Sequence, residues 1–288
     1  MDLNQFTGKA NFVEDVYKYY RQFDKSFEDF IVHLLETDFW INLDFPHNPY
    51  KKVLVELSQK VDQMNNLLEE EPKYHNRNHF IDVCISLSML LKTENSFAED
   101  YSHTVHWILS TQQKWLLLFC AVGHDFGHIG KVNQVPFEIE SLSFELVKKF
   151  LLDLPEDQKI LLLNGRQMDD FLEQIRTIIL STDPQHLPTL IKKIQHSQDS
   201  FIDRIDIMCM LLVESDLMAS ITPNYGLELG QRLSEEWRIS NPSKADFVAS
   251  PQGRLGFLHY VQFLSQHSKE LGIPQLLEKS IGLVSQTL

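Results

Sequence analysis

Apolar residues recur at three- and four-residue steps along most of this 288-residue chain, and the strict alternation of a half-buried strand is scarce. No other feature restricts the fold as much, because a 3.6-residue period lays a continuous apolar stripe along one face of a helix, whereas a strand needs a period of two. The segment VEDVYKYYRQFDKSFEDFIVHLLETDFW carries the stripe from Val13 to Phe39, and YKKVLVELSQKVDQMNNLLEE carries it through Val53, Leu57, Val61 and Met64. The same pattern predicts helices at 77–92, 113–123, 137–153, 168–181, 187–196, 200–220, 226–239 and 254–271. Breaks fall at DFPHNP, EEEPKYHN, DLPED, DPQHLP, ITPNYG and SNPSKADF, where Pro, Gly, Asn and Asp favour turns. None of these is a long or low-complexity linker, and no internal repeat is present. The expectation is one all-α domain over residues 1–288, with 1–70 as a helical subdomain packed on the rest.

Charge narrows the partners. Forty acidic residues against twenty-six basic ones leave a net charge of −14, a surface that repels polyanions. A nucleic-acid polymer or an anionic membrane is therefore excluded as partner. A small anionic ligand stays compatible where metal ions or local Arg and Lys offset the field. The most apolar piece, WLLLFCAV from Trp115 to Val122, suits a buried helix and is far too short to span a bilayer. The start, MDLNQFTGKANF, lacks the basic head and apolar core of a secretory signal. Cys84, Cys120 and Cys209 lie in apolar helical segments without CxxC spacing and read as small core residues. A reducing, cytoplasmic location is expected; the sequence is silent on oligomeric state.

Three short stretches concentrate ionisable groups. YHNRNHFIDV sets His75 and His79 four residues apart on one helical face, a pair that taken alone reads as ordinary half-buried polar residues. GHDFGHIGKVNQ follows directly on WLLLFCAV, so His124 and Asp125 end an apolar helix, with His128 one turn beyond. Burying such a doublet costs several kcal/mol unless something pairs with it, and a divalent cation is one solution. In MCMLLVESDLMASITP, Glu214 and Asp216 interrupt an apolar stripe. A carboxylate there is pushed up in pKa or demands a cation; of the two, Glu214 is expected to face water. One His, a His-Asp doublet and a distant Asp make a set of N and O ligands for a divalent ion.

This order resembles the HD superfamily of metal-dependent phosphohydrolases. YHNxxHxxDV followed by HDxxHxGxxNQ looks like the catalytic domain of the class I cyclic nucleotide phosphodiesterases. The likeness extends to Glu140, to LSTDPQH (Leu180 to His186), to SDL around Asp216 and to GFLHY (Gly256 to Tyr260), about residues 74–260 in all. It implies a compact all-helical domain with a metal site in a central pocket, and an enzyme. His79, His124, Asp125 and Asp216 would hold Zn²⁺. Asp125 would bridge to a second ion, Mg²⁺ or Mn²⁺, held otherwise by water. A hydroxide between the two ions would attack phosphorus while His75 protonates the leaving oxygen. His128, Glu140 and Thr182 would orient that hydroxide and the metal waters, and Tyr74 and Asn76 would set the geometry of His75. The implied reaction is hydrolysis of a 3′,5′-cyclic nucleotide to the 5′-monophosphate; the alternative is an HD-type phosphohydrolase acting on a different nucleotide or phosphodiester.

The chain departs from the family pattern in three places. HDxDHPG is here HDFGHIG, with Gly127 and Ile129 replacing an acid and a proline. The purine-gripping glutamine aligns with Arg254 when Phe257 is the clamping phenylalanine, and a pocket asparagine aligns with Ala219. Arg254, Phe257 and Ala219 are thus the candidate substrate-binding residues, in a base-reading pair that looks rebuilt. His33, His47, His103, His106, His196, His259 and His267 have no partner spacing and are expected at the surface or a helix edge. Tyr17, Tyr19, Tyr20, Phe23, Phe27 and Phe30 are expected in the core, and Glu69–Glu71 in solvent.

Overall fold

The computed structural model of the protein describes residues 1–23, 25–97, 107–196 and 202–288; among these there are helices and turns and no strand. The N-terminal stripe breaks into α1 (Val13–Tyr20), α2 (Phe27–Leu35) and α3 (Asp38–Asn42), followed by α4 (Tyr50–Asn65). Local chemistry sets those breaks. Ser26 opens α2 with a capping box, its hydroxyl accepting from the Asp29 N–H at 3.0 Å, and the Thr37 hydroxyl donates to the Leu34 carbonyl at 2.7 Å. Next come α5 (Arg77–Lys92), the short α6 (Glu94–Phe97), α7 (Thr111–Gly123), α8 (Glu138–Asp153), α9 (Glu156–Leu163), α10 (Met168–Leu180) and α11 (Leu187–His196). The chain finishes with α12 (Arg204–Met218), α13 (Tyr225–Trp237), α14 (Pro242–Ala249), α15 (Pro251–Tyr260), α16 (Gln266–Leu271) and α17 (Ile273–Ser285). Among the described residues no helix is long and apolar enough to cross a membrane.

At the centre, α5 packs on α12 and α7, and all three are apolar nearly all round, as helices buried on every side must be. Their few polar side chains are spoken for. Ser86 and Ser88 of α5 meet the Tyr17 hydroxyl at 2.6 Å and the Trp40 Nε1 at 3.0 Å, fastening the N-terminal helices to the centre. Burial of rings such as Tyr17, Trp40 and Trp115 contributes roughly 1.5–3 kcal/mol each. The apolar core runs without a gap from Leu3 to Val284. Cys84, Cys120 and Cys209 lie inside it as free thiols.

Several expectations change. SNPSKADF is not a loop: Asn241 caps α14 by accepting from the Lys244 N–H, with Pro242 at the first helical position. The stretch 254–271 is not one helix. Glu214 breaks it, buried rather than facing water, accepting from the Leu264 and Ser265 N–H groups at 2.6 and 2.8 Å and from the Ser265 hydroxyl. Burial pushes the Glu214 carboxyl up to about 7, against the pull of those donors. His267 is buried too, 3.6 Å from Glu94, which also accepts from Lys114. His47, His196 and His259 are exposed and His33 is half-buried, while His103 and His106 lie outside the described residues.

Candidate active site

Each central helix presents its chemistry at the same end of the core. Asn76 opens α5, accepting from the Asn78 N–H at 2.9 Å while its amide donates to the carbonyls of Pro72 and Lys73. That clamp sets the turn bearing His75 and puts His79 in the first turn of α5. One turn further, Asp82 accepts from the Tyr225 hydroxyl at 2.5 Å and lies 3.5 Å from Arg21. Burial raises its carboxyl to about 7 although Arg21 and His79 oppose the shift. His124 and Asp125 lie just past the end of α7, and Asp216 lies in the last turn of α12.

There the four side chains meet. His79 Nε2 is 3.1 Å from Asp125 Oδ2 and 3.2 Å from Asp216 Oδ1. His124 Nε2 is 3.3 Å from Asp125 Oδ2, 3.8 Å from Asp216 Oδ1 and 3.3 Å from His79 Nε2. Bonds of about 2.0–2.2 Å from a zinc-like ion set neighbouring ligand atoms roughly 3.0–3.5 Å apart, and every spacing here except His124 to Asp216 falls in that range. His124 Nδ1 lies 2.8 Å from the Ala121 carbonyl, an acceptor only. Nδ1 therefore carries a proton and Nε2 faces the cluster. Burial would lower both imidazoles, yet Asp125 and Asp216 outweigh it: His79 is held up at about 10 and His124 is also raised. Asp125, buried but flanked by His124 and His79, is held well below the usual carboxylate range. The donor set and its field fit a divalent cation.

A second group sits beside the first and is built differently. His75 Nδ1 is 2.5 Å from Glu236 Oε1, and Glu236 Oε2 accepts from the Tyr74 and His75 N–H groups at 2.7 and 2.9 Å. The His128 ring stacks on His75 with centroids 3.7 Å apart and planes 23° off parallel. Near-parallel rings offer no common in-plane point, so the pair suits proton handling rather than chelation. His128 Nδ1 accepts from the Gly130 N–H at 3.0 Å, and burial together with His75 lowers its pKa to about 3, so the ring is neutral. Burial alone would raise Glu236; the His75 ring and the two N–H groups prevail and hold it at about 2. Glycine makes the approach possible: a Cβ on Gly130, at φ +73°, would meet the Glu236 Cγ at 2.9 Å. Glu236 lies on α13, 161 residues from His75, and no spacing in the sequence marks it.

The remaining candidates have partners of their own. Glu140 is buried and accepts from Asn133 at 2.8 Å, its carboxyl raised by burial to about 7. The Thr182 hydroxyl donates to the Ile179 carbonyl at 2.8 Å. The Tyr74 hydroxyl pairs with Ser220 at 2.9 Å, and its ring lies against His75 and His79. Gly127 has φ +81°, and a Cβ there would meet Leu146 at 2.5 Å, so this departure from the family pattern answers to the local backbone.

A cavity of about 280 Å³ opens from the cluster, with His75 and Asp216 on its wall. Arg254, Phe257, Trp237 and Tyr260 also line it. Arg254 is buried and donates to the Ser220 and Thr222 carbonyls, the latter at 3.0 Å, which seats its guanidinium on the turn after α12. Ala219 belongs to the apolar core, and the wall at that turn is Ser220. A small side chain ending a buried helix follows the helix into the core.

The sequence matches no protein-family model and no curated protein. Solved structures do match. The phosphodiesterase domain of the RhoPDE fusion protein from the choanoflagellate Salpingoeca rosetta aligns over 91% of this chain and 92% of its own, at TM-score 0.66 and 18% identity. Another structure of the Salpingoeca rosetta rhodopsin phosphodiesterase domain aligns over 98% and 96%, at TM-score 0.66 and 17% identity. LmjPDEB1 in complex with IBMX aligns over 100% and 95%, at TM-score 0.70 and 14% identity. The chain has the all-helical fold of these phosphodiesterase domains.

Proposed function

We propose that this chain, acting as one domain over residues 1–288, is a metal-dependent phosphodiesterase that hydrolyses a 3′,5′-cyclic nucleotide to the 5′-monophosphate. The observation that carries the reading is the convergence of His79, His124, Asp125 and Asp216 at 3.1–3.8 Å beside the His75–Glu236 pair. When bound, Zn²⁺ held by these four residues and Mg²⁺ or Mn²⁺ held with the help of Asp125 would supply an activated water and neutralise the phosphoryl oxygens. His75, its Nδ1 held by Glu236, offers Nε2 to the cavity and protonates the leaving oxygen as general acid. Glu236 fixes the ring's tautomer and orientation. Neutral His128, stacked on it, supports the ring without competing for the proton. Tyr74 and Asn76 hold the turn on which His75 rides. Glu140 and Thr182 offer oxygens that orient water near Asp125, and Arg254 and Phe257 form the wall against which the base would lie.

A different nucleotide or phosphodiester is the second reading, favoured by one observation: among the described residues no Asn or Gln lines the cavity, so no amide is present there to donate to and accept from a purine edge at once. Three buried free thiols fit a cytoplasmic location. The test is a hydrolysis screen with Mg²⁺ and Mn²⁺ across cyclic nucleotides, linear dinucleotides and nucleotide diphosphate conjugates. Release of a 5′-monophosphate from a cyclic nucleotide is the expected result; turnover of only the linear or diphosphate substrates would favour the second reading.

A further inference from the structure

Helix α13 begins without a cap of its own. Asn224, at its N-cap position, makes no side-chain hydrogen bond to the helix, and the first N–H groups of any helix lack intrahelical partners. A carboxylate from the other end of the chain fills the place. Glu14 of α1 accepts through Oε1 from the Asn224 and Tyr225 N–H groups at 2.7 and 3.1 Å, and through Oε2 from the Asn224 side-chain amide at 3.0 Å. Its charge also meets the positive end of the helix dipole. Glu14 lies 210 residues from Asn224 and outside the stretch 74–260 that carries the family likeness.

Two more residues hold the same end of α13. The Tyr17 ring packs on the Tyr225 ring with centroids 5.5 Å apart, and the Tyr17 hydroxyl meets Ser86 of α5 at 2.6 Å. Arg21, just past α1, sets its guanidinium 4.6 Å from the centre of the Tyr225 ring and 3.5 Å from Asp82 of α5. The start of α13 is therefore tied to α5 by way of α1. Its last turn carries Glu236, which holds His75 Nδ1 and the Tyr74 and His75 N–H groups. A hydrogen-bonded helix of thirteen residues moves as one piece, so what seats its first turn also seats its last.

Resting on the reading of His75 as the general acid of a phosphodiesterase, we propose that Glu14 is a positioning residue for His75. By capping α13 from α1 it sets the seat of Glu236 and so the aim of the His75 ring. Glu14 belongs neither to the cavity wall nor to the metal cluster, and its effect reaches the reaction through α13.

The test compares two substrates on one metal-loaded preparation of the full chain. Glu14→Ala is expected to lose about tenfold in kcat on a cyclic nucleotide, less than the roughly 10²-fold that a 1 Å misplacement can cost. On bis(p-nitrophenyl) phosphate, whose leaving group needs no proton, the loss should stay within about twofold. Partial unfolding lowers both rates alike, so their ratio isolates the aim of His75. Glu14→Gln, whose amide oxygen still accepts from both backbone N–H groups, should recover most of the loss. Should Glu14→Ala not fold, Glu14→Asp, one methylene short of the helix, takes its place with the same expectations. Equal losses on the two substrates, no loss on either, or no recovery in Glu14→Gln overturns the proposal. The ring C–H signal of His75, assigned by its loss from His75→Ala, reports the ring's surroundings by NMR without turnover. It should shift in Glu14→Ala and return in Glu14→Gln, and an unmoved signal overturns the proposal as well. If the wild type hydrolyses neither substrate while this signal responds to Glu14, the catalytic reading falls and the tie from α1 to His75 stands.

Discussion

Two pairs of histidines stand side by side in this molecule and their surroundings make them opposites. His79 and His124 both aim Nε2 at the point where Asp125 and Asp216 meet them, so the carboxylates gather positive charge there. His75 and His128 lie face to face, with one carboxylate, Glu236, reserved for His75 alone. On the proposed reading the same residue type would serve as a cation ligand where rings converge edge-on and as a proton carrier where they stack. Orientation and carboxylate count decide, not the presence of histidine.

The largest effect should come from breaking the converging pair's shared carboxylate. Asp125→Ala is expected to abolish measurable hydrolysis and to lower bound transition metal, read by elemental analysis of purified protein, because this oxygen touches both imidazoles. Wild-type turnover by the metal-depleted variant would refute the cluster's role.

Breaking the stacked pair should leave metal in place. His75→Ala is expected to keep its bound ion and lose roughly 10²–10⁴ in rate on a cyclic nucleotide, the usual worth of a positioned general acid. On a nitrophenyl diester, whose leaving group needs no proton, the loss should shrink sharply. Equal losses on both would make His75 structural.

Glu236→Gln sharpens the contrast further. An amide keeps the size but removes the charge that Glu236, held at about 2, carries across the neutral range. A loss of roughly 10–100-fold is expected, of the order seen when the partner of a functional histidine is altered. On the nitrophenyl diester, whose leaving group needs no proton, the loss should shrink. Equal losses on both substrates would confine Glu236 to holding the loop.

The smallest effect belongs to Glu214, two residues from Asp216 and outside both pairs. Its folded pKa of about 7 lies above the ordinary 4.5, so the folded chain binds this proton more tightly than the unfolded one. Its contribution is fully present below pH 4.5 and is lost as pH rises through 7. The difference of about 2.5 units is worth on the order of 3 kcal/mol. Urea melts of the wild type should therefore lose stability between pH 5 and 8 more steeply than those of Glu214→Gln. Parallel slopes would show the carboxylate to be ionised throughout.

Whatever neighbours along the chain dictate could be read before folding. The 3.6-residue stripes made the helices, and buried α5, α7 and α12 follow from stripes wide enough to cover every face. His75 and His79, and the His124–Asp125 doublet, were legible because they sit within a turn of one another at the ends of apolar runs. The break at 261–265 was not legible, because its cause is Glu214, reaching from a helix fifty residues earlier. Glu214 and Asp216 could not be told apart on local grounds: each interrupts the same stripe, and only packing sends one to that break and the other to the cluster. Glu236 was invisible, as an acid on an ordinary amphipathic helix whose partner lies 161 residues away. The same holds for His267 beside Glu94 and for the unpaired N–H groups of Trp237 and Arg254. Periodicity reports which face of an element is buried; what a polar group meets once buried depends on distant segments, and only the folded chain brings those together.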